Sequence, residues 1–159
     1  MVTFDATGGY GHPDHLTIHR LTNLAYDAAS DPALYPEAGE PWQTSRLFYS
    51  SFPRSQVNRM AGWLEEQGIP NPFAGLDPEM FGMPDELVTH KLDVAEYVEL
   101  KNTSLNKHAT QMNPDSPFTK MPPEFLTELR SNEFYALAAG TPLPDTPDAH
   151  SDLFAGLRD

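Results

Sequence analysis

The chain has 159 residues and carries 10 Lys and Arg against 23 Asp and Glu, a formal charge of −13. A surface this acidic repels phosphate backbones and anionic lipid heads, which argues against non-specific nucleic-acid and membrane-surface binding. The absence of cysteine excludes disulfides, thiolate zinc sites, iron–sulfur clusters and thiol catalysis, so any metal must be held by His and carboxylate.

The hydrophobic share of 39%, with 2 Trp, 6 Tyr and 9 Phe, suffices for one packed core. No apolar run approaches the roughly 18 residues of a membrane span. The start, Met1-Val2-Thr3-Phe4-Asp5, has neither a basic n-region nor a long apolar stretch, so a cytoplasmic location is expected.

Val2 to Phe4 is a short β-favouring segment that runs into Ala6-Thr7-Gly8-Gly9-Tyr10-Gly11. Three glycines in four positions allow a sharp turn and a close approach to a ligand. His12-Pro13 then opens a helix, with Ile18, Leu21, Leu24, Ala25 and Ala28 at helical spacing. Strand, glycine loop and helix in succession predict a unit of an α/β sheet, whose ligands lie beyond the carboxyl ends of strands. Residues 31–44 read as an ordered, proline-rich loop. Arg46 to Phe52 is predicted as a second strand, and a helix follows from Pro53 to about Gln67, with Gly68 as its stop. After the Pro/Gly-rich stretch 69–84, Leu87 to Leu92 reads as a third strand. Asp93 and Glu96 form a capping-box pattern for a long helix bearing Val94, Tyr97, Val98, Leu105, Ala109 and Met112, ended by Pro114 and Pro117. A short helix over Pro122 to Arg130 and a strand over Glu133 to Ala138 complete the body. Residues 1–139 thus form the domain, and 140–159 a linker and C-terminal tail.

One constellation carries chemistry. His12, His15 and His19 are three and then four residues apart, so on a helix they share a face. Imidazoles so spaced can ligate zinc, and Asp14 between two of them can orient one. They can equally be surface residues, with Asp14 only complementing the helix dipole. Asp5, at the strand end, is either a group behind the site or a turn former.

The stretch Gly8-Gly9-Tyr10-Gly11-His12-Pro13-Asp14-His15, followed by His19-Arg20, resembles the second signature of the PIG-L/LmbE-like zinc de-N-acetylases. Asp31-Pro32-Ala33-Leu34-Tyr35-Pro36, Gly39-Glu40-Pro41-Trp42, His108-Ala109-Thr110-Gln111 and Asp152-Leu153-Phe154-Ala155-Gly156-Leu157 look like the mycothiol S-conjugate amidase branch. The resemblance implies a Rossmann-like α/β parallel-sheet domain that hydrolyses the amide of an N-acyl amino-sugar conjugate with Zn2+ held by two His and one Asp. It makes His15 a zinc ligand and His12 the protonated group that stabilises the oxyanion and helps the amine leave. Asp14 orients His12, and Tyr10 hydrogen-bonds the substrate carbonyl oxygen. By the same resemblance Gln111 and His108 contact substrate.

The family's first signature, of the type Ala-His-Pro-Asp-Asp-Glu, is absent. It would supply the other His ligand, the Asp ligand and the general base. The chain therefore reads as the C-terminal portion of the domain, expected to bind zinc poorly and to be inactive alone. A homo-oligomer, or a complementing chain that carries the first signature, is the expected partner. A non-catalytic binding or assembly module that keeps the fold is the alternative.

Overall fold

The computed structural model describes residues 1–71, 74–75, 81–111, 113 and 116–158. The elements in chain order are β1 (Val2–Phe4), the single turn α1 (Gly8–Gly11), α2 (Pro13–Ser30), β2 (Arg46–Ser51), α3 (Arg54–Glu66), β3 (His90–Asp93), α4 (Val98–Asn106), α5 (Pro123–Arg130) and β4 (Asn132–Gly140). The strands form one sheet in the order β1-β2-β4-β3. β1 and β2 run parallel, with Phe4 opposite Ser50. β4 lies antiparallel between its neighbours, and its Tyr135 faces Ser50 of β2 on one side and His90 of β3 on the other. The α/β class stands, with a mixed sheet in which β1–β2 is the parallel pair. The apolar run Phe134 to Ala139 suits the central position that β4 takes.

Three local expectations shift. The third strand begins at His90, because Asp85–Leu87 is a 3-10 turn whose Asp85 Oδ1 accepts from Ser55 N at 3.0 Å and so caps α3. The long helix is shorter than its apolar pattern predicts. Asp93 Oδ1 accepts from Ala95 N at 3.0 Å, but this opens only a 3-10 turn, and α4 spans Val98–Asn106. Asn102, Thr103, Ser104 and Asn106 are weak helix formers, and the chain leaves the helix after them. Met112 and Pro114 lie outside the described residues.

The apolar spacing that predicts α2 does not face the sheet. Ile18, Leu21 and Leu24 are exposed, whereas Tyr26 is buried. Polar pairs join α2 to the sheet instead. Thr3 Oγ1 meets Thr22 Oγ1 at 3.2 Å, and Tyr49 donates to Asn23 Oδ1 at 2.8 Å. The densest apolar cluster is elsewhere, where Met60, Leu64 and Met121 are buried beneath Trp63, Phe125, Leu126 and Leu129. There Trp63 stacks on Phe125 with centroids 5.7 Å apart, tying α3 to α5.

Arg46 is buried, and its guanidinium donates to three carbonyls, those of Thr141 at 2.9 Å, Leu153 at 3.0 Å and Pro142 at 3.0 Å. A buried charge needs such partners to offset its lost hydration. The chain beyond β4 is thereby drawn back onto the sheet, where Ala149 and Ala155 are buried and His150 O accepts from Lys91 N at 2.9 Å. The turn out of β4 demands glycine. Gly140 has φ +104°, and a Cβ there would sit 2.2 Å from Ser45 O.

Arg46→Met is expected to lower stability by about 3 kcal/mol, since it leaves three carbonyls without their donor. Urea unfolding measures this, and amide exchange across 141–155 should rise with it; an unchanged midpoint would count against the anchor. His90 is buried, and burial, then the charges of His150 and Arg46, lowers its pKa below the usual 6.5. Its neutral form is the one that the fold favours. The stability this contributes is present above about pH 6.5 and is lost as the pH falls below it. Urea midpoints between pH 7.5 and 5.5 should decline, and His90→Met should flatten the decline.

Candidate active site

The site starts where β1 ends. Asp5 is buried, and its Oδ1 accepts from Thr7 N at 2.9 Å, Thr7 Oγ1 at 2.7 Å and Gly9 N at 3.1 Å. Gly8 N donates to Asp5 O at 3.0 Å. Gly8, Gly9 and Gly11 all have positive φ, at 64°, 74° and 81°. This left-handed conformation strains residues that bear a Cβ. At Gly8 space forbids one as well, because a Cβ would lie 3.0 Å from His15 Cβ and 3.1 Å from Leu16 N. The loop can therefore press against the first turn of α2 only through glycine.

That contact sets the histidines. His15 Nδ1 donates to Gly8 O at 3.0 Å. A carbonyl only accepts, so in neutral His15 the proton sits on Nδ1 and Nε2 holds a free lone pair. The His15 ring lies flat on Phe4, with centroids 3.9 Å apart and planes 6° from parallel. Tyr10 approaches His15 edge-on at 5.1 Å and His12 at 6.0 Å, while the two imidazoles are 5.0 Å apart. The fold thus gathers Tyr10, His12 and His15 at the carboxyl end of β1, with the Tyr10 ring exposed.

Asp14 and His12 meet at the start of α2. His12 is the N-cap of α2, and its Nδ1 accepts from Asp14 N at 3.2 Å. The Asp14 carboxylate is 4.0 Å from that nitrogen, and both side chains are open to water. In this arrangement Asp14 acts on His12 through its backbone and through a screened charge.

His19 leaves the shared face. Its Nδ1 donates to Phe4 O at 2.9 Å, and its ring meets Tyr49 edge-on at 5.1 Å. The three-His reading therefore fails: α2 turns its third histidine onto the sheet, and among the described residues no three of His, Asp and Glu gather around a metal position. His108 and Gln111 are exposed in the turn after α4. His108 Nδ1 donates back to Ser104 O at 3.2 Å, and Gln111 N donates to His108 O at 2.8 Å. Of the two tryptophans, Trp42 is exposed, whereas Trp63 packs.

The motif spacing did not reveal Phe4 or the Gly8 carbonyl as supports for His15. The only signal for either is position, a strand end and a glycine within seven residues of the histidine. A zinc ion fits His15 as one ligand, since a ligating imidazole commonly donates its second nitrogen to a carbonyl, as His15 does.

No protein-family profile matches the chain. It is similar to the 1D-myo-inositol 2-acetamido-2-deoxy-alpha-D-glucopyranoside deacetylase of Geodermatophilus obscurus, 38% identical over 161 residues that cover 99% of this chain and 54% of that protein. Deacetylase 1 of the same name from Frankia alni is 36% identical over 162 residues, 99% of this chain and 56% of that protein. The corresponding deacetylase of Thermobispora bispora is 35% identical over 173 residues, again 99% and 56%. The chain spans about half the length of the curated relatives it matches. Similarity at this level over nearly every residue, together with the glycine–histidine loop, means that the chain belongs to the PIG-L/LmbE-like family.

Proposed function

We propose that this chain carries one part of the active site of a zinc-dependent C–N hydrolase, which removes the acyl group from an N-acyl amino sugar linked to a polyol. The observation that supports this best is the His15–Gly8 hydrogen bond, which leaves His15 Nε2 as a lone-pair donor beside Tyr10 and His12. The names of the relatives favour deacetylation over cleavage of a thiol conjugate.

His15 would hold one ligand position, and a zinc ion bound there would supply Lewis-acid polarisation of the acyl carbonyl. His12 works next to it. As an imidazolium it donates to the developing oxyanion and then to the departing amine. To do so its Nδ1, which lies 4.0 Å from the Asp14 carboxylate, must release the Asp14 N–H. Tyr10, exposed and edge-on to both imidazoles, is free to turn its hydroxyl to the carbonyl oxygen. By the family resemblance, His108 and Gln111 would contact the substrate.

The other ligands and the base come from residues outside the described set, on a further segment or a complementing chain. The exposed Ile18, Leu21 and Leu24 of α2, next to edge strand β1, support a segment packing there.

The test is deacetylation of N-acetylglucosaminyl-inositol with zinc, by the chain alone and by the chain supplemented with the remaining portion of the Geodermatophilus obscurus relative. The chain alone should show no turnover, and the supplemented protein should turn over. In the latter, His12→Ala is expected to cost about 10²–10³ in kcat, the usual loss of one oxyanion donor. His15→Ala should abolish zinc-dependent turnover, and Tyr10→Phe should lower kcat more than it raises KM. Full activity in either histidine variant would sink the assignment. Binding of the sugar without turnover by the supplemented protein would favour the non-catalytic alternative.

A further inference from the structure

We propose that Asp5 is the positioning residue for His15, setting which imidazole nitrogen carries the proton through the glycine loop rather than by touching the ring. The inference rests on the proposed ligand role of His15 only for its consequence, not for its geometry.

The coupling is a short chain of bonds. One oxygen of a buried carboxylate holds three donors, at Thr7 N, Thr7 Oγ1 and Gly9 N. The bonded amides lie on either side of Gly8, and Gly8 N itself is bound to Asp5 O at 3.0 Å. The peptide units flanking Gly8 are thereby fixed, and with them the direction of its carbonyl. That carbonyl receives His15 Nδ1 at 3.0 Å. Without a fixed acceptor at Nδ1, a neutral imidazole in water prefers its proton on Nε2, the nitrogen that a metal or a substrate must reach. Beyond the backbone bonds from Gly8 N to Asp5 O and from Gly11 N to Thr7 O at 2.9 Å, the loop has little to hold it in place. Its glycines have no side chains to pack, and glycine loses more conformational freedom on ordering than any other residue. Phe4 fixes the plane of the His15 ring by stacking, but a stacked ring does not choose between the two tautomers. His19 binds Phe4 O and holds the strand end, not the loop. The tautomer is left to Gly8 O, and Gly8 O to Asp5.

The experiment is a long-range proton–nitrogen correlation on the full chain labelled with ¹⁵N-histidine, at about pH 8.5, where imidazoles are neutral. His15 is assigned by loss of its signals in His15→Gln. Wild type should show the Nδ1–H form. Asp5→Ala should lose it in favour of Nε2–H. Asp5→Asn keeps an oxygen for the same donors and should retain Nδ1–H. A folded Asp5→Ala that keeps Nδ1–H overturns the proposal, and so does a folded Asp5→Asn that loses it. Where Asp5→Ala does not fold, Thr7→Val removes one of the three donors. It should lower the Nδ1–H share, and an unchanged share overturns the proposal equally. The readout needs no metal and no turnover. A failed deacetylation assay with an intact tautomer response therefore refutes the proposed function alone, and the reverse result refutes this inference alone.

Discussion

The pairing of β4 on both edges is the constraint on which the rest of the molecule depends. A strand inside a sheet must find partners for the backbone groups on its two sides, and β4 finds them in β2 and β3. Once it does, β1 is held at one margin through β2, and β3 becomes the other margin. The helices and the chain beyond β4 then fill the faces. Arg46 closes the arrangement from the first residue of β2, since its guanidinium collects carbonyls that are about a hundred residues away in sequence.

The site occupies the weaker margin of this sheet. β1 has only three residues, and the segment that follows it has no apolar packing of its own. What orders that segment is polar: one buried carboxylate, a run of left-handed glycines and a histidine that caps the helix coming after. The two imidazoles and the phenol ring come together because the loop reverses direction within a few residues and α2 starts at once. The chemistry-bearing groups are therefore placed by local hydrogen bonds. The sheet contributes through Phe4, the platform beneath His15.

α2 has two characters. Its inner face makes hydrogen bonds to the sheet through Thr22, Asn23 and His19, while its apolar stripe is open. An amphipathic pattern states that a helix has an apolar side, not which neighbour that side meets. The exposed stripe, the edge of β1 that is unpaired among the described residues, and the half-length match to the relatives all concern the same margin of the sheet.

By itself, the sequence determined the elements whose signals are local. β1, the glycine loop, the start of α2 at His12-Pro13, the body of α3 and the stop at Gly68 depend on turn chemistry and capping, which act within a few residues. The motif also brought Tyr10, His12 and His15 into view together, because they lie within six positions of one another. Tertiary structure alone decided two things. The antiparallel insertion of β4 between β2 and β3 is a choice of partner, and alternation within a strand does not encode it. His19 turned away from its helical neighbours because a carbonyl at the end of β1 was there to receive its proton. The early end of α4 was itself local, since the weak helix propensity of Asn102, Thr103, Ser104 and Asn106 outweighed the apolar spacing. For β4 and His19 the deciding interaction joins separate elements of the fold, and short-range patterns carry no information about which elements will meet.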